Sequence, residues 1–129
     1  LKRYDKLLKR RKEIIEEYNS AFRDYNVNFL NHYGDNHTSS GHLYLMRLID
    51  VDEEHRNRFI EKLAEQGIAS NVHYKPLPMM TAYKNMGFDI KDYPNAYEMY
   101  KNEVTLPLHT LLTDEDVYYI IENVKELLK

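Results

Sequence analysis

The eight residues His42-Leu43-Tyr44-Leu45-Met46-Arg47-Leu48-Ile49 constrain the fold more than any other segment. Read as a strand, they place Leu43, Leu45 and Arg47 on one face and Tyr44, Met46 and Leu48 on the other. A strand that is largely apolar on both faces needs cover on both, so it belongs in the centre of a sheet. The rest of the chain must then supply neighbouring strands and helices to pack over them.

The flanking sequence does so. Tyr4, Leu7, Leu8, Ile14, Ile15, Tyr18, Phe22 and Tyr25 recur at steps of three and four, the spacing of one helix face. Arg11 interrupts this stripe, and its long stem can still lie along it. The run from Lys2 to Lys12 is basic and Glu13, Glu16 and Glu17 follow, the reverse of what the helix dipole favours. The expectation is a helix that begins before Leu1. Asn26 to Gly41 is polar, with Asn, His, Ser and two glycines, and reads as a loop. Asp52 is placed as an N-cap, Phe59, Ile60 and Leu63 as the buried stripe behind it, and Gly67 as the left-handed residue that ends the helix.

Ile68 to His73 reads as a second short strand, after which Pro76 and Pro78 exclude a regular central strand. Met79 to Met86 fits one or two helical turns closed by Gly87, and Pro94 the first turn of a helix running to about Asn102. Val104 to Leu106 is a brief third strand stopped by Pro107. Thr113 then caps a helix whose first turn holds Asp114, Glu115 and Asp116 and whose core face is Val117, Ile120, Ile121, Val124, Leu127 and Leu128. This order predicts an α+β domain: a small, mostly antiparallel sheet of about three strands covered by helices, led by a long N-terminal helix.

A chain of 129 residues fits one domain and buries roughly two-thirds of its unfolded surface, enough for a core without staples. It has no cysteine, so disulfides and thiolate chemistry are excluded and a cytoplasmic setting fits. No stretch approaches the ~18 apolar residues of a membrane span. Leu1 stands where an initiator Met would, which points to a processed chain or a fragment. Twelve tyrosines and no tryptophan suit half-buried surfaces and subunit contacts.

The chemistry-bearing residues are sparse. His32, His37, His42, His55, His73 and His109 form no HExxH pattern, and no metal site is expected. The glycines are too dispersed for a phosphate loop, and no GxSxG elbow exists. Lys2, Arg3, Lys6, Lys9, Arg10, Arg11 and Lys12 form a basic stretch, read as the solvated face of an amphipathic helix because the remaining chain is acidic and no base-reading motif accompanies it. Asn71-Val72-His73-Tyr74-Lys75-Pro76-Leu77-Pro78 differs: a strand delivers His, Tyr and Lys into a proline-stiffened loop at a sheet edge. Spacing alone leaves two readings open, a set of ligand contacts or an ordinary loop with His73 or Tyr74 packed beneath it.

That segment, continued by Met79-Met80-Thr81-Ala82-Tyr83, resembles the HYxPL…Y stretch of the DegT/DnrJ group of aminotransferases that use pyridoxal phosphate (PLP). Further pieces follow in the family's order. Arg10-Arg11 to Tyr18 is similar to its RR…I…Y helix, and His42-Leu43-Tyr44 through Arg47 to its HLYxxR strand. Arg58 to Ile68 is similar to R…L…GI, Pro94-Asn95-Ala96 to its PNA helix start, and Leu106 to His109 with Thr113 to Asp116 to LPLH…LTDED. The resemblance spans nearly the whole chain, apart from Asn26 to Ser40. Many members carry a His where this chain has Pro78, which puts sugar specificity carried over from relatives in question.

The resemblance implies that residues 1–129 are the C-terminal small domain of a fold-type-I enzyme that transfers an amino group from glutamate to a nucleotide-linked keto sugar, in cell-surface polysaccharide or amino-sugar biosynthesis. It implies a PLP-binding large domain upstream of residue 1 that carries the Schiff-base lysine, so this chain alone would hold no PLP, supply no catalytic residue and be inactive. It implies a homodimer, and it marks His42, His73, Tyr74 and Lys75 as candidates for facing the sugar nucleotide or cofactor, Lys75 as a point charge for a phosphate. Two other readings remain: a stand-alone interaction module derived from the fold, and a small nucleic-acid-binding domain led by the basic helix. An isolated small domain is also expected to self-associate through the face its partner domain would cover.

Overall fold

In the computed structural model, which describes residues 2–129, the segment that must be central is central. Strand β4 (Tyr44–Leu48) lies between β1 (Val27–Phe29) and β5 (Glu103–Leu106), both antiparallel to it. The register sets Leu48 opposite Val27 and Met46 opposite Phe29 on one side, and Tyr44, Leu45, Met46 and Arg47 opposite Leu106, Thr105, Val104 and Glu103 on the other. Directly opposed residues share a face. Tyr44, Met46, Leu48, Val104 and Leu106 therefore point to one side and are buried, while Leu45, Arg47, Glu103 and Thr105 point to the other.

The buried side is covered by three helices. From α1 (Tyr4–Phe22) come Ile14, Ile15, Tyr18 and Phe22; from α2 (Glu53–Glu65), Phe59 and Leu63; from α5 (Asp114–Leu128), Val117, Ile120, Ile121 and Val124. The apolar stripe of α1 thus enters the core only over its second half: Tyr4 and Leu7 are exposed, and Tyr25 lies past the helix end. Tyr18 and Tyr44 meet edge-on with centroids 4.9 Å apart. Their hydroxyls donate to the Pro107 carbonyl at 2.9 Å and to Asn19 Oδ1 at 3.0 Å, so neither buried phenol lacks a partner.

The third strand of the sheet is not the predicted one. Ile68 to His73 contributes a single bridge, Asn71 to Thr105, with two backbone bonds of 3.1 and 2.7 Å. The ladder stops there because a side chain takes its next donor: His73 N–H goes to Glu103 Oε2, while Val72 N–H, which points away from β5, donates to Asn71 Oδ1. The place is filled from within the segment read as a loop. Val27 and Phe29 face the core from an edge strand whose intervening Asn28 is exposed, a pattern too short to stand out beside its polar neighbours. The same segment holds a two-stranded hairpin, β2 (Tyr33–Gly34) with β3 (His37–Thr38).

The helix ends follow the expected chemistry. Asp52 Oδ1 accepts from His55 N–H at 2.8 Å, and Thr113 and Asp116 form a reciprocal capping box. Gly67 closes α2 at φ +72°. Gly41 has φ +59° and passes α1 so closely that a Cβ would lie 2.9 Å from Ile15 Cδ1. Between Asn71 and β5 the chain forms a 3-10 turn (Leu77–Met79), α3 (Thr81–Asn85), a second 3-10 turn (Ile90–Asp92) and α4 (Pro94–Tyr100), none of which contains a buried residue.

Loss of the cap in Thr113→Ala is expected to lower unfolding free energy by about 1 kcal/mol. Gly41→Ala is expected to cost at least about 1–2 kcal/mol from its left-handed backbone alone. Tyr118→Ala, at an exposed position of α5, is expected to change it by less than about 0.5 kcal/mol. Urea denaturation of the three variants checks the ranking.

Candidate functional site

The face of the sheet turned away from the three covering helices forms the floor of a cleft of about 290 Å³. Leu45, Arg47 and Glu103 rise from β4 and β5, α4 closes one side with Ala96, Met99 and Tyr100, and Asn28 to Leu30 close another. His73 and Tyr74 border it from the end of the bridged segment, joined by a cis peptide bond and with their rings edge to face at 4.6 Å.

Arg47 is tied down on all sides. Its Nε donates to Asn102 Oδ1 at 3.0 Å, Nη2 to the Glu98 carbonyl at 2.9 Å, and Nη1 to Met99 Sδ at 3.4 Å. It locks β4 to the C-terminal end of α4, where exposed carbonyls favour a cation. Arg56, on α2, is 1% exposed. Its guanidinium donates to the Glu103 carbonyl at 3.3 Å, lies 3.6 Å from Glu53 Oε1, and sits over the Tyr100 ring at 4.7 Å. Glu53 Oε1 also accepts the Tyr100 hydroxyl at 2.7 Å, so α2 and α4 are joined through one carboxylate.

Glu103 is the buried acid of the cleft. Oε2 accepts from His73 N–H at 2.8 Å, Oε1 accepts the Thr105 hydroxyl, and Thr105 Oγ1 lies 2.9 Å from His73 Nδ1. Burial pushes the Glu103 carboxyl above its ordinary range, and the hydrogen bonds from Thr105 and His73, with the nearby Arg56 charge, partly oppose the rise. Burial likewise raises the Tyr100 phenol.

The structure brings two of the four candidate residues together: His73 and Tyr74 line the cleft, with Tyr74 71% exposed. Lys75 and His42 are exposed and lie outside the lining. Arg47 enters the sequence reading only as part of the HLYxxR strand, with no site role, and Arg56, Glu103 and Thr105 do not enter it. Nothing in the sequence distinguishes Arg56 from the other charged residues of its helix. Glu103 and Thr105 carried a faint signal, since Glu103-Val104-Thr105-Leu106 alternates polar with apolar residues. Among the described residues no three His, Asp or Glu side chains gather to hold a metal ion, and no helix is long and apolar enough to cross a membrane.

An α+β domain with one face of its sheet sealed by helices and the other lining an open cleft is the class defined here. The chain belongs to the DegT/DnrJ/EryC1/StrS aminotransferase family, whose family model matches residues 1–125. Among solved structures it is similar to Spr1654 of Streptococcus pneumoniae, assigned to the sugar aminotransferases. The PMP-form is 53% identical over 98% of this chain and 32% of that one, with a TM-score of 0.96, and the PLP-form has a TM-score of 0.93. It is 33% identical to the spore coat polysaccharide biosynthesis protein SpsC of Bacillus subtilis, over 100% of this chain and 34% of SpsC. It is 30% identical, over the same shares, to a UDP-4-amino-4,6-dideoxy-N-acetyl-beta-L-altrosamine transaminase of Campylobacter jejuni. The chain therefore spans about a third of the length of these relatives.

The cleft residues do not by themselves fit a resident PLP. The lining offers an imidazole, a carboxylate, two phenols and an engaged guanidinium, but no lysine amine to hold the cofactor covalently. No step through the cofactor is derived from this chain.

Because the Glu103 pKa is raised above its unfolded value, its effect on stability has a definite sign. A neutral carboxyl is tolerated in the fold, so the contribution is full below the unfolded value near 4.5 and is lost as pH rises through the higher folded value. Replacing Glu103→Gln is expected to remove this decline, giving a flatter stability curve from acid to neutral pH. Thermal unfolding followed across that range checks it.

Proposed function

We propose that this chain is the C-terminal small domain of a PLP-dependent enzyme that transfers an amino group from glutamate to a nucleotide-linked keto sugar, and that the remainder of the polypeptide holds the cofactor. The observation that carries the reading is the open cleft: a floor of Leu45, Arg47 and Glu103 between α4 and Asn28 to Leu30, with Tyr74 exposed at its border, in a chain that spans a third of a transaminase relative.

Within such an enzyme, His73 and Tyr74 face the sugar, since both already line the cleft. Lys75, the next residue, is the candidate point charge for a nucleotide phosphate. His42 is the outlying candidate, exposed just before β4. Arg47 and Arg56 have their guanidiniums engaged within the protein, and their role is to hold α4 and β5 in place around the cleft. The working enzyme is a cytoplasmic homodimer in this reading, and the isolated chain binds no PLP and transfers no amino group.

The first test is the reading frame upstream of Leu1. Continuation into a domain with a lysine in the family's cofactor motif supports the proposal, and a start codon at Leu1 with no such domain defeats it. In the full-length enzyme, His73→Ala is expected to lower kcat/KM for the sugar nucleotide by about threefold to tenfold, the size of one lost hydrogen bond. Steady-state kinetics with glutamate as donor checks this. The isolated chain mixed with PLP is expected to show only the absorbance of free PLP.

A further inference from the structure

The Glu103–Thr105–His73 array contains more information than its three contacts. Both carboxylate oxygens of Glu103 receive donors, Oε1 the Thr105 hydroxyl and Oε2 the His73 backbone N–H. A threonine hydroxyl has one proton. With that proton on Glu103, Thr105 Oγ1 meets His73 Nδ1, 2.9 Å away, only as an acceptor. The ring must then carry its proton on Nδ1. Nε2 has no partner among the described residues, and His73 borders the cleft.

We propose that Glu103, acting through Thr105, is a positioning residue that holds neutral His73 in the Nδ1–H tautomer, so that the cleft is offered Nε2 as a hydrogen-bond acceptor. The complementary ligand group is a donor: a hydroxyl, an amide N–H or an ammonium. Identification of that group with part of a sugar nucleotide rests on the function proposed above; the tautomer does not.

Burial pushes the Glu103 carboxyl up, and the donors on both of its oxygens, with the nearby Arg56 charge, oppose that rise and favour the accepting form. Arg56 of α2 contacts its backbone carbonyl, and Arg47 of β4 lies opposite it in the ladder. Neither guanidinium forms an ion pair with the carboxylate, which would compete with Thr105 for Oε1. A second property follows from the same geometry. Protonation of His73 adds a proton at Nε2 and leaves the Nδ1–H···Thr105···Glu103 chain unchanged, so the array serves the neutral ring and the cation alike.

The test is the position of one proton. The polypeptide as the cell makes it is labelled with 15N at histidine and examined at pH about 8, above the ordinary imidazole range. His73→Gln identifies the His73 signals. Wild type is expected to show a protonated-type shift for Nδ1 and an unprotonated-type shift for Nε2, with a preference of up to about tenfold, as one hydrogen bond to a hydroxyl implies. Glu103→Gln reverses the pattern: the carboxamide oxygen keeps the His73 N–H, its NH2 donates to Thr105, and the Thr105 hydroxyl turns to donate to Nδ1. Thr105→Ser keeps the wild-type pattern, whereas Thr105→Val abolishes the preference. A wild-type ring protonated at Nε2, or a Glu103→Gln spectrum identical to wild type, overturns the proposal. Neutron diffraction, which places the deuteron on one nitrogen or the other, decides the question if the resonances are too broad or a variant does not fold. None of these readouts needs PLP, sugar or turnover, so the proposal fails or stands independently of the enzyme reading.

Discussion

The pairing of β4 with β5 is the constraint on which the rest of the molecule depends. Four opposed pairs decide which side chains face the helices and which face the cleft. Met46 with Val104 and Tyr44 with Leu106 go inward, while Leu45 with Thr105 and Arg47 with Glu103 go outward. A slip of one residue would exchange the two sets, putting Arg47 and Glu103 into the core and Met46 and Tyr44 into the cleft. The hydrophobic cost of that exchange holds the register, and the register in turn places the polar groups of the cleft.

Two charged side chains beside β5, Glu103 on the strand and Arg56 on α2, lie at a depth where charge is costly. Glu103 is 5% exposed and Arg56 1%, and each is tolerated because its polar atoms are largely occupied. Arg56 spreads its charge over the Glu103 carbonyl, Glu53 and the Tyr100 ring, although its Nε has no partner. Glu103 receives two donors, one of them a backbone amide that a regular strand would have used in its ladder. The irregular end of the Ile68–His73 segment and the buried acid thus explain each other. The strand stops because Glu103 captures the His73 amide, and Glu103 remains at that depth because the amide is available.

The segment between the bridge and β5 behaves differently. Its two helices and two 3-10 turns bury no side chain fully, and Leu77, Met80, Met86, Phe88, Tyr93 and Met99 are exposed along it. Few buried contacts mean a low free energy of local opening, so this is the part of the fold expected to move most readily. Arg47 and the Tyr100–Glu53 bond restrain its C-terminal end beside the cleft. The cleft therefore combines a rigid floor with a wall tethered at one end, an arrangement that lets a ligand or partner surface order the remainder.

Periodicity and end signals determined the helices of this protein, because both are local. The stripe Ile14, Ile15, Tyr18 and Phe22, the caps at Asp52 and Thr113, the left-handed Gly67 and the two-faced strand around Met46 all depend on neighbours within a turn or a few residues. The same local patterns carried the family resemblance, which marked His42, His73, Tyr74 and Lys75 as candidates. The tertiary structure alone decided which segments completed the sheet and which charges became a site. Val27 to Phe29 is a strand only because β4 offers it an edge, and Ile68 to His73 is not one because a carboxylate 30 residues away along the chain takes its amide. Glu103, Thr105 and Arg56 gain their roles from burial and from partners distant in sequence, and a single side chain carries no mark of the surroundings it will meet after folding.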